Sequence, residues 1–269
     1  MPIVCEQARF TYPDGTLAVD GVDITIPDGE RVAIVGQNGA GKTTTVKLMN
    51  GLLKPTSGRV LVDGEDIADK TTATVARTVG YVFQNPDDQL FGADVQGELE
   101  YMPRYFRWDE ARRTERVRRA AQMAGIGRFM ALNPGDLPFA IKKFVAIGSI
   151  LVGECRYLIL DEPTAGLDGR GLRLLDRLLD QLQAEGVGVI TISHDMRFVA
   201  DSFDRVIAMA QRKVIADGDV HDVFGDDDVL QQARLKRPQT AQLARDLGLG
   251  NDALRFDEVL TALQHRAGA

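Results

Sequence analysis

Cysteine is scarce in this chain of 269 residues: Cys5 and Cys155 stand far apart and match neither a metal-ligand spacing nor a redox pair. They read as two buried thiols in a reducing compartment, which excludes a disulfide-dense scaffold. A basic excess is also missing. Lys and Arg number 32 against 39 Asp and Glu, a net charge of −7, which argues against a nucleic-acid-binding face, so no nucleic acid is expected among the partners. Long apolar runs are absent too. The longest, Val145 to Gly153, sits between Lys143 and Glu154 and falls far short of the roughly 20 residues that span a bilayer. Any membrane role would therefore come through a partner. No secretory signal is expected, because Met1-Pro2-Ile3-Val4-Cys5-Glu6 already has strand character.

What is present is an ordinary globular composition, 44% hydrophobic and 26% charged, enough for one large α/β domain with a small appendix or two modest domains. One stretch organises it. Arg31-Val32-Ala33-Ile34-Val35 is an apolar strand, Gly36-Gln37-Asn38-Gly39-Ala40-Gly41-Lys42-Thr43-Thr44 follows, and Thr45 to Met49 has helical character. Strand, glycine loop, then helix is the context that gives G-x-x-x-x-G-K-T its meaning. Gly36, Gly39 and Gly41 let the backbone turn tightly and aim N–H groups at an anion. The helix beginning near Lys42 adds its positive dipole end. Lys42 is expected to reach the β and γ phosphates of a nucleotide and Thr43 to offer a hydroxyl to Mg²⁺.

Along the chain, residues 3–35 read as β-rich, with turns at Pro13-Asp14-Gly15 and Pro27-Asp28-Gly29-Glu30. Tyr12, with Phe10 second, is a candidate for stacking on a nucleobase. Val79 to Phe83 and Arg156 to Leu160 read as buried strands, the second ending in Asp161-Glu162. Residues 109–124 form an Arg-rich helix whose charges are most simply a solvated face. Helices are expected over 137–153 and 168–185, a strand over 186–193 delivering His194, and a hairpin over 205–216. The alternation from residue 31 onward predicts a mostly parallel sheet with helices on both faces. Ligands of such sheets sit at the carboxyl ends of strands. Gly36, Gln84, Asp161, Glu162 and His194 each follow such an end, so they are expected to share one site. Asp161 would bind Mg²⁺, Glu162 would take a proton from an attacking water, Gln84 would orient that water or ligate the metal, and His194 would hydrogen-bond a γ-phosphate. Residues 219–269 change character, with Asp226-Asp227-Asp228 and Gly248 to Asp252 punctuating short helices at 229–236, 239–247 and 256–266.

These motifs together resemble the nucleotide-binding subunit of ABC transporters over residues 1–220. The phosphate loop matches at 36–44, with Gly36, Asn38, Gly39, Gly41, Lys42, Thr43 and Thr44 as nucleotide contacts, and the glutamine loop matches at Gln84. The metal-binding Asp and catalytic Glu match within Leu158-Ile159-Leu160-Asp161-Glu162-Pro163-Thr164. The loop that crosses to the partner subunit matches at Ala165-Gly166-Leu167-Asp168, the switch histidine at His194, and the adenine-stacking aromatic at Tyr12. The resemblance implies ATP and Mg²⁺. It also implies a P-loop ABC ATPase domain with a β-rich N-terminal subdomain, a mostly parallel core sheet and a helical subdomain at roughly 85–155.

A narrower likeness follows. Val82 to Phe91 and the segment from Gly218 onward are similar to the ATPases of energy-coupling factor (ECF) transporters, importers of vitamins and of metals such as cobalt and nickel. That implies a helical extension at 221–269 that helps two ATPase subunits dimerise, and contact of residues 85–106 with a membrane coupling protein beside a substrate-binding membrane protein. Location would be peripheral, on the cytoplasmic face of the membrane.

One departure stands out. The family carries Leu-Ser-Gly-Gly-Gln where this chain has Leu137-Pro138-Phe139-Ala140-Ile141. Pro138 removes a hydroxyl and an N–H, and Phe139 puts bulk where glycine lets phosphate approach. The expectation is a heterodimer with a second ATPase bearing a complete signature, and low activity alone. Three alternatives remain: an importer ATPase of another ABC subfamily for amino acids or metal chelates, a soluble ABC-type ATPase in assembly or repair, and a non-catalytic regulatory homologue. The soluble type usually carries a long coiled-coil insertion, and none lies between Gln84 and Leu137. Glu162 and His194 argue against the regulatory homologue.

Overall fold

The computed structural model describes residues 2–249 and 253–267. In chain order its elements are β1 (Ile3–Thr11), β2 (Leu17–Ile26), β3 (Arg31–Val35), α1 (Lys42–Met49), β4 (Ser57–Val62), β5 (Glu65–Asp66), α2 (Thr72–Val75), β6 (Val79–Val82), α3 (Val95–Tyr105) and α4 (Glu110–Met123). Then follow α5 (Phe139–Leu151), β7 (Tyr157–Asp161), α6 (Gly169–Ala184), β8 (Gly188–Ile192), α7 (Met196–Ser202), β9 (Arg205–Ala210) and β10 (Lys213–Asp219). The chain closes with α8 (Val220–Gly225), α9 (Asp227–Ala233), α10 (Gln239–Asp246) and α11 (Phe256–Ala267).

Strands β3, β6, β7 and β8 are short and mostly apolar, with Arg31, Asp161 and Thr191 the exceptions, the signature of strands covered on both faces. They form a parallel set in a six-stranded sheet ordered β10-β9-β3-β8-β7-β6, with β9 parallel to β3 and β10 antiparallel at the edge. Because side chains alternate across a strand, each strand feeds two cores. Val32, Ile34, Ile159 and Ile190 face one side, where α1 and the antiparallel sheet β2-β1-β4-β5 pack. Ala33, Val35, Leu158, Leu160 and Val189 face the other, against α3 to α7. Helices therefore cover one face, whereas α1 shares the other with a second sheet, a refinement of the expected sandwich.

On the helical side α6 buries Leu175, Leu178, Leu179 and Leu182, a stripe at helical spacing. Each such leucine contributes roughly 1.5–3 kcal/mol on leaving water. Val220, Val223, Phe224, Leu230, Ala241 and Leu254 join the same core, so the C-terminal helices are anchored to it. Both cysteines are free and buried, and burial pushes the Cys5 thiol up to about 12. The turn expected at Gly250-Asn251-Asp252 lies outside the described residues, apart from Gly248 and Leu249 before it. Among the described residues, no helix is long and apolar enough to cross a membrane.

Candidate active site

The loops after β3, β6, β7 and β8 emerge at the same edge of the parallel sheet and line a cavity of about 520 Å³. Tyr12, Asn38, Gly39, Gly41, Lys42, Thr43, Thr44, Gln84, Asp161, Glu162 and His194 all line it. The residues expected from scattered positions in sequence are thus brought together; Gly36 is not in the lining, and its carbonyl accepts from Lys42.

Glycine is required at two places in the loop for a steric reason. Gly36 has φ +145°, and a Cβ there would sit 2.2 Å from the Met209 carbonyl oxygen. Gly41 has φ +102°, and its Cβ would sit 2.6 Å from the Ala18 carbonyl oxygen. The loop is therefore pressed against β2 and β9, and it delivers the chain directly into α1. Among the described residues no side chain caps α1, so its first N–H groups and positive dipole end are available to an anion. Lys42 is buried and its Nζ donates to the carbonyls of Gly36 at 2.7 Å and Gln37 at 3.1 Å. Burial lowers its pKa, while Glu162 and Asp161 pull it back up.

Tyr12 ends the strand side of the cavity. Its hydroxyl shares a hydrogen bond with Thr44 Oγ1 at 3.2 Å, and its ring stands edge-on to Phe10 at 4.9 Å between centroids. The ring is thus fixed at the cavity rim while keeping a third of its surface open (36%).

The carboxylates at the end of β7 have different surroundings. Asp161 accepts a hydrogen bond from the Tyr81 hydroxyl at 2.7 Å; burial raises its pKa and that bond opposes the rise. Glu162 has left the strand into the left-handed region, φ +50°. Its N–H donates to Ile192 O at 2.9 Å, and its Oε2 accepts the His194 N–H at 3.1 Å. Its Oε1 lies 3.3 Å from His194 Nε2 and is buried without a hydrogen bond. Burial raises the Glu162 pKa, with His194 the main opposing influence. Gln84 is exposed at the cavity edge.

Asp168 caps α6, its Oδ1 accepting the N–H groups of Arg170 at 3.0 Å and Gly171 at 2.8 Å. The 137–141 stretch lies at the start of α5. Leu137 is buried, Pro138 occupies the N-cap position without a side-chain cap, and Phe139 is 43% exposed, with Ala140 and Ile141 half-buried behind it. The Phe139 ring lies over Gly166, where a Cβ would be 2.8 Å from it.

Four contributors were not anticipated from sequence. Tyr81 reaches Asp161 across two neighbouring strands, and Lys143 on α5 donates from its buried Nζ to the Glu162 carbonyl. Gln89 accepts from Phe83 N–H at 3.1 Å and donates to Ala146 O at 2.9 Å, bracing the loop that carries Gln84. Arg212, at φ +69° in the β9–β10 turn, lines the cavity. Only Arg212 had a local signal, a two-residue hairpin turn occupied by neither Gly nor Asn.

The donors around the cavity suit a hard cation. Thr43, Gln84 and Asp161 offer oxygen, with a single carboxylate among them, as fits Mg²⁺ that keeps waters and takes other ligands from phosphate. Among the described residues there is no His/Cys/Asp/Glu cluster that would hold a metal by protein ligands alone.

Fold and site together define a P-loop nucleotide-binding ATPase cassette. The family model described as ABC transporter matches residues 19–165. The Energy-coupling factor transporter ATP-binding protein EcfA of Methanothermobacter thermautotrophicus is 37% identical over 272 residues, covering 99% of this chain and 88% of the relative. The EcfA of Methanoculleus marisnigri is 41% identical over 237 residues, covering 88% and 86%. Other relatives of comparable similarity are named only as ABC transporter ATP-binding proteins. Among solved structures, CbiO1 of Clostridium perfringens, part of the ABC transporter complex CbiONQ, superposes with a TM-score of 0.78 at 36% identity, covering 90% of this chain and 98% of that one. The chain belongs to the ABC transporter ATP-binding family and is an ABC-type ATPase.

Proposed function

We propose that this chain is an ATPase subunit of an ECF-type importer, working in a heterodimer with a second ATPase whose signature is complete. The observation that carries the reading is an asymmetry within one chain. A fully furnished phosphate loop and carboxylate pair coexist with an apolar signature at Leu137, Pro138, Phe139, Ala140 and Ile141. The import role is supported by relatives named EcfA and by the CbiONQ complex to which CbiO1 belongs.

On this reading the α1 N-terminus, Lys42 and the loop amides hold the phosphates of ATP, and Tyr12 stacks on the base. Thr43, Asp161 and Gln84 would hold Mg²⁺, which supplies charge neutralisation at the β and γ phosphates. Glu162 accepts the proton of the attacking water, and its buried, unbonded Oε1 beside His194 is the atom suited to that task. His194 both orients Glu162 and meets the γ-phosphate. Asp168, whose side chain already caps α6, lies in the loop that would face the partner subunit.

The second nucleotide, bound by the partner, would meet Pro138 and Phe139 in place of a hydroxyl and glycine amides and would turn over slowly. The exposed aromatics Phe91, Tyr101 and Tyr105 suit docking of the membrane coupling protein on 85–106. Tyr101 and Tyr105 line a cleft of about 340 Å³ with Met102 and Phe106, and Phe91 stands edge-on to Tyr101. We place the ATP-binding domain at 1–220, with its helical subdomain at 85–155, and a dimerising extension at 221–269, where Leu243, Phe256 and Leu260 stay exposed. The assembly would sit peripherally on the cytoplasmic face of the membrane. Two measurements test this: the chain alone shows little ATPase activity and gains it on addition of the second ATPase, and both copurify with a membrane coupling protein. Rapid turnover by the chain on its own would refute it.

A further inference from the structure

Lys143 is 3% exposed, and among the described residues its ammonium donates to one acceptor, the backbone carbonyl of Glu162, while the Glu162 and Asp161 carboxylates attract its charge. A buried ammonium is costly unless it is well partnered, so a lysine committed to one backbone carbonyl calls for a reason. The peptide it grips supplies one. Glu162 holds a left-handed backbone conformation at φ +50°, unfavourable for a residue with a Cβ. That conformation turns its carboxylate out of β7 and onto His194. The residue is pinned from both sides, by its N–H on Ile192 O and by its carbonyl on Lys143. One turn back along α5, the Phe139 ring lies over Gly166 and 5.5 Å from the Lys143 ammonium. Helix α5 thus holds both ends of the segment from Glu162 to Gly166.

We infer that Lys143 is a positioning residue for ATP hydrolysis: its hydrogen bond to the Glu162 carbonyl keeps the carboxylate in register with His194. The inference rests on Glu162 being the proton acceptor. Released from Lys143, the Glu162 carbonyl keeps only the long bond from the Ala165 N–H at 3.4 Å, so the peptide is held less firmly, and displacements of about 1 Å at a reacting group cost on the order of a hundredfold in rate. Nucleotide binding would be spared, because the phosphate loop, Tyr12 and α1 make no hydrogen bond to Lys143.

The test uses the assembled ATPase dimer that turns over ATP, with the substitutions in this chain. Lys143→Met keeps the shape and removes the donor; Lys143→Gln keeps an amide donor without the charge. The expected result is a fall in kcat of at least tenfold for Lys143→Met, with affinity for a fluorescent ATP analogue within twofold of the parent. Lys143→Gln should stay within threefold of the parent in kcat. The inference is overturned if Lys143→Met stays within twofold in kcat, if kcat and nucleotide affinity fall together, or if Lys143→Gln is as impaired as Lys143→Met. Should Lys143→Met fail to fold, Lys143→Ala is judged by the same limits. Glu162→Gln separates the two levels. Turnover retained there overturns the role of Glu162 and this inference with it, whereas loss there beside an active Lys143→Met overturns the role of Lys143 alone.

Discussion

Repairing the signature should convert this chain into a self-sufficient ATPase. The perturbation is Pro138→Ser, Phe139→Gly, Ala140→Gly and Ile141→Gln together. Its cost to the fold can be worked from the start of α5. Two glycines entering the first helical turn cost up to about 1 kcal/mol each, and a serine at the N-cap position now held by Pro138 returns about 1 kcal/mol. Phe139 is 43% exposed, so its removal forfeits only part of a phenylalanine's burial, about 1 kcal/mol. The half-buried Ile141, packed against the core, forfeits about 1 kcal/mol more on becoming Gln, and the net loss of about 2–3 kcal/mol is still small against the 5–15 kcal/mol of a typical domain. On the catalytic side, one well-placed donor on developing charge is worth about 3–4 kcal/mol in a preorganised site. Taking about half of one donor's worth, to allow for imperfect placement, gives ~2 kcal/mol, or roughly thirtyfold in rate. Steady-state phosphate release by the chain alone should therefore rise at least tenfold. A rise of less than twofold, in a repaired protein that binds nucleotide and dimerises as well as its parent, would refute the claim that the signature limits activity.

Three other outcomes follow from named contacts. Tyr81→Phe removes a hydrogen bond to a buried carboxylate, typically worth about 1.5–3 kcal/mol; the Mg²⁺ concentration for half-maximal ATPase should rise about tenfold, and an unchanged Mg²⁺ titration would contradict the role of Asp161. Tyr12→Ala should weaken ATP binding about tenfold through lost stacking, whereas Tyr12→Phe, which loses only the bond to Thr44, should stay within about threefold; equal losses in a nucleotide titration would argue against stacking. His221 lies 3.0 Å from both Asp219 and Glu258 and clasps α11 to the rest of the chain; its pKa is raised, the two carboxylates outweighing burial. The stabilisation it gives is full below its ordinary value of 6.5 and fades as pH climbs through the raised folded value. Hydrogen exchange in α11 should therefore quicken over that window beyond the intrinsic pH effect, and His221→Gln should abolish the extra dependence.

The phosphate loop was legible because each residue type answers a local demand: the Cβ clashes at Gly36 and Gly41 show why only glycine serves there. The buried strands β7 and β8 and the leucine stripe of α6 were legible for the same reason, since their periods record local burial. Helix α3 was not read. Gly97 and Pro103 interrupt its pattern, and its buried positions include Glu98, whose carboxylate accepts the Phe91 and Gly92 N–H groups. The short α2 and α8 were missed because four and six residues, less than two turns, are too few to set a period. In the site, the residues expected past the ends of β3, β6, β7 and β8, Gly36 apart, line one cavity, whereas Arg212, past the end of β9, was not anticipated. Tyr81, Lys143 and Gln89 escaped because their partners lie 80, 19 and 57 residues away. Tyr81 reaches Asp161 only because β6 pairs with β7 in the observed register, opposite Ile159. That pairing is a property of the sheet and leaves no mark in the local sequence.

The most direct measurement is ATPase turnover of the proposed heterodimer with Glu162→Gln in this chain, compared with the matching substitution in the partner. This chain's site holds the complete set of Lys42, Asp161, Glu162 and His194 and would be closed by the partner's signature. The account predicts that Glu162→Gln abolishes steady-state hydrolysis while the partner's substitution leaves most of it. Persistent turnover with Glu162→Gln, or equal losses from the two substitutions, would contradict it.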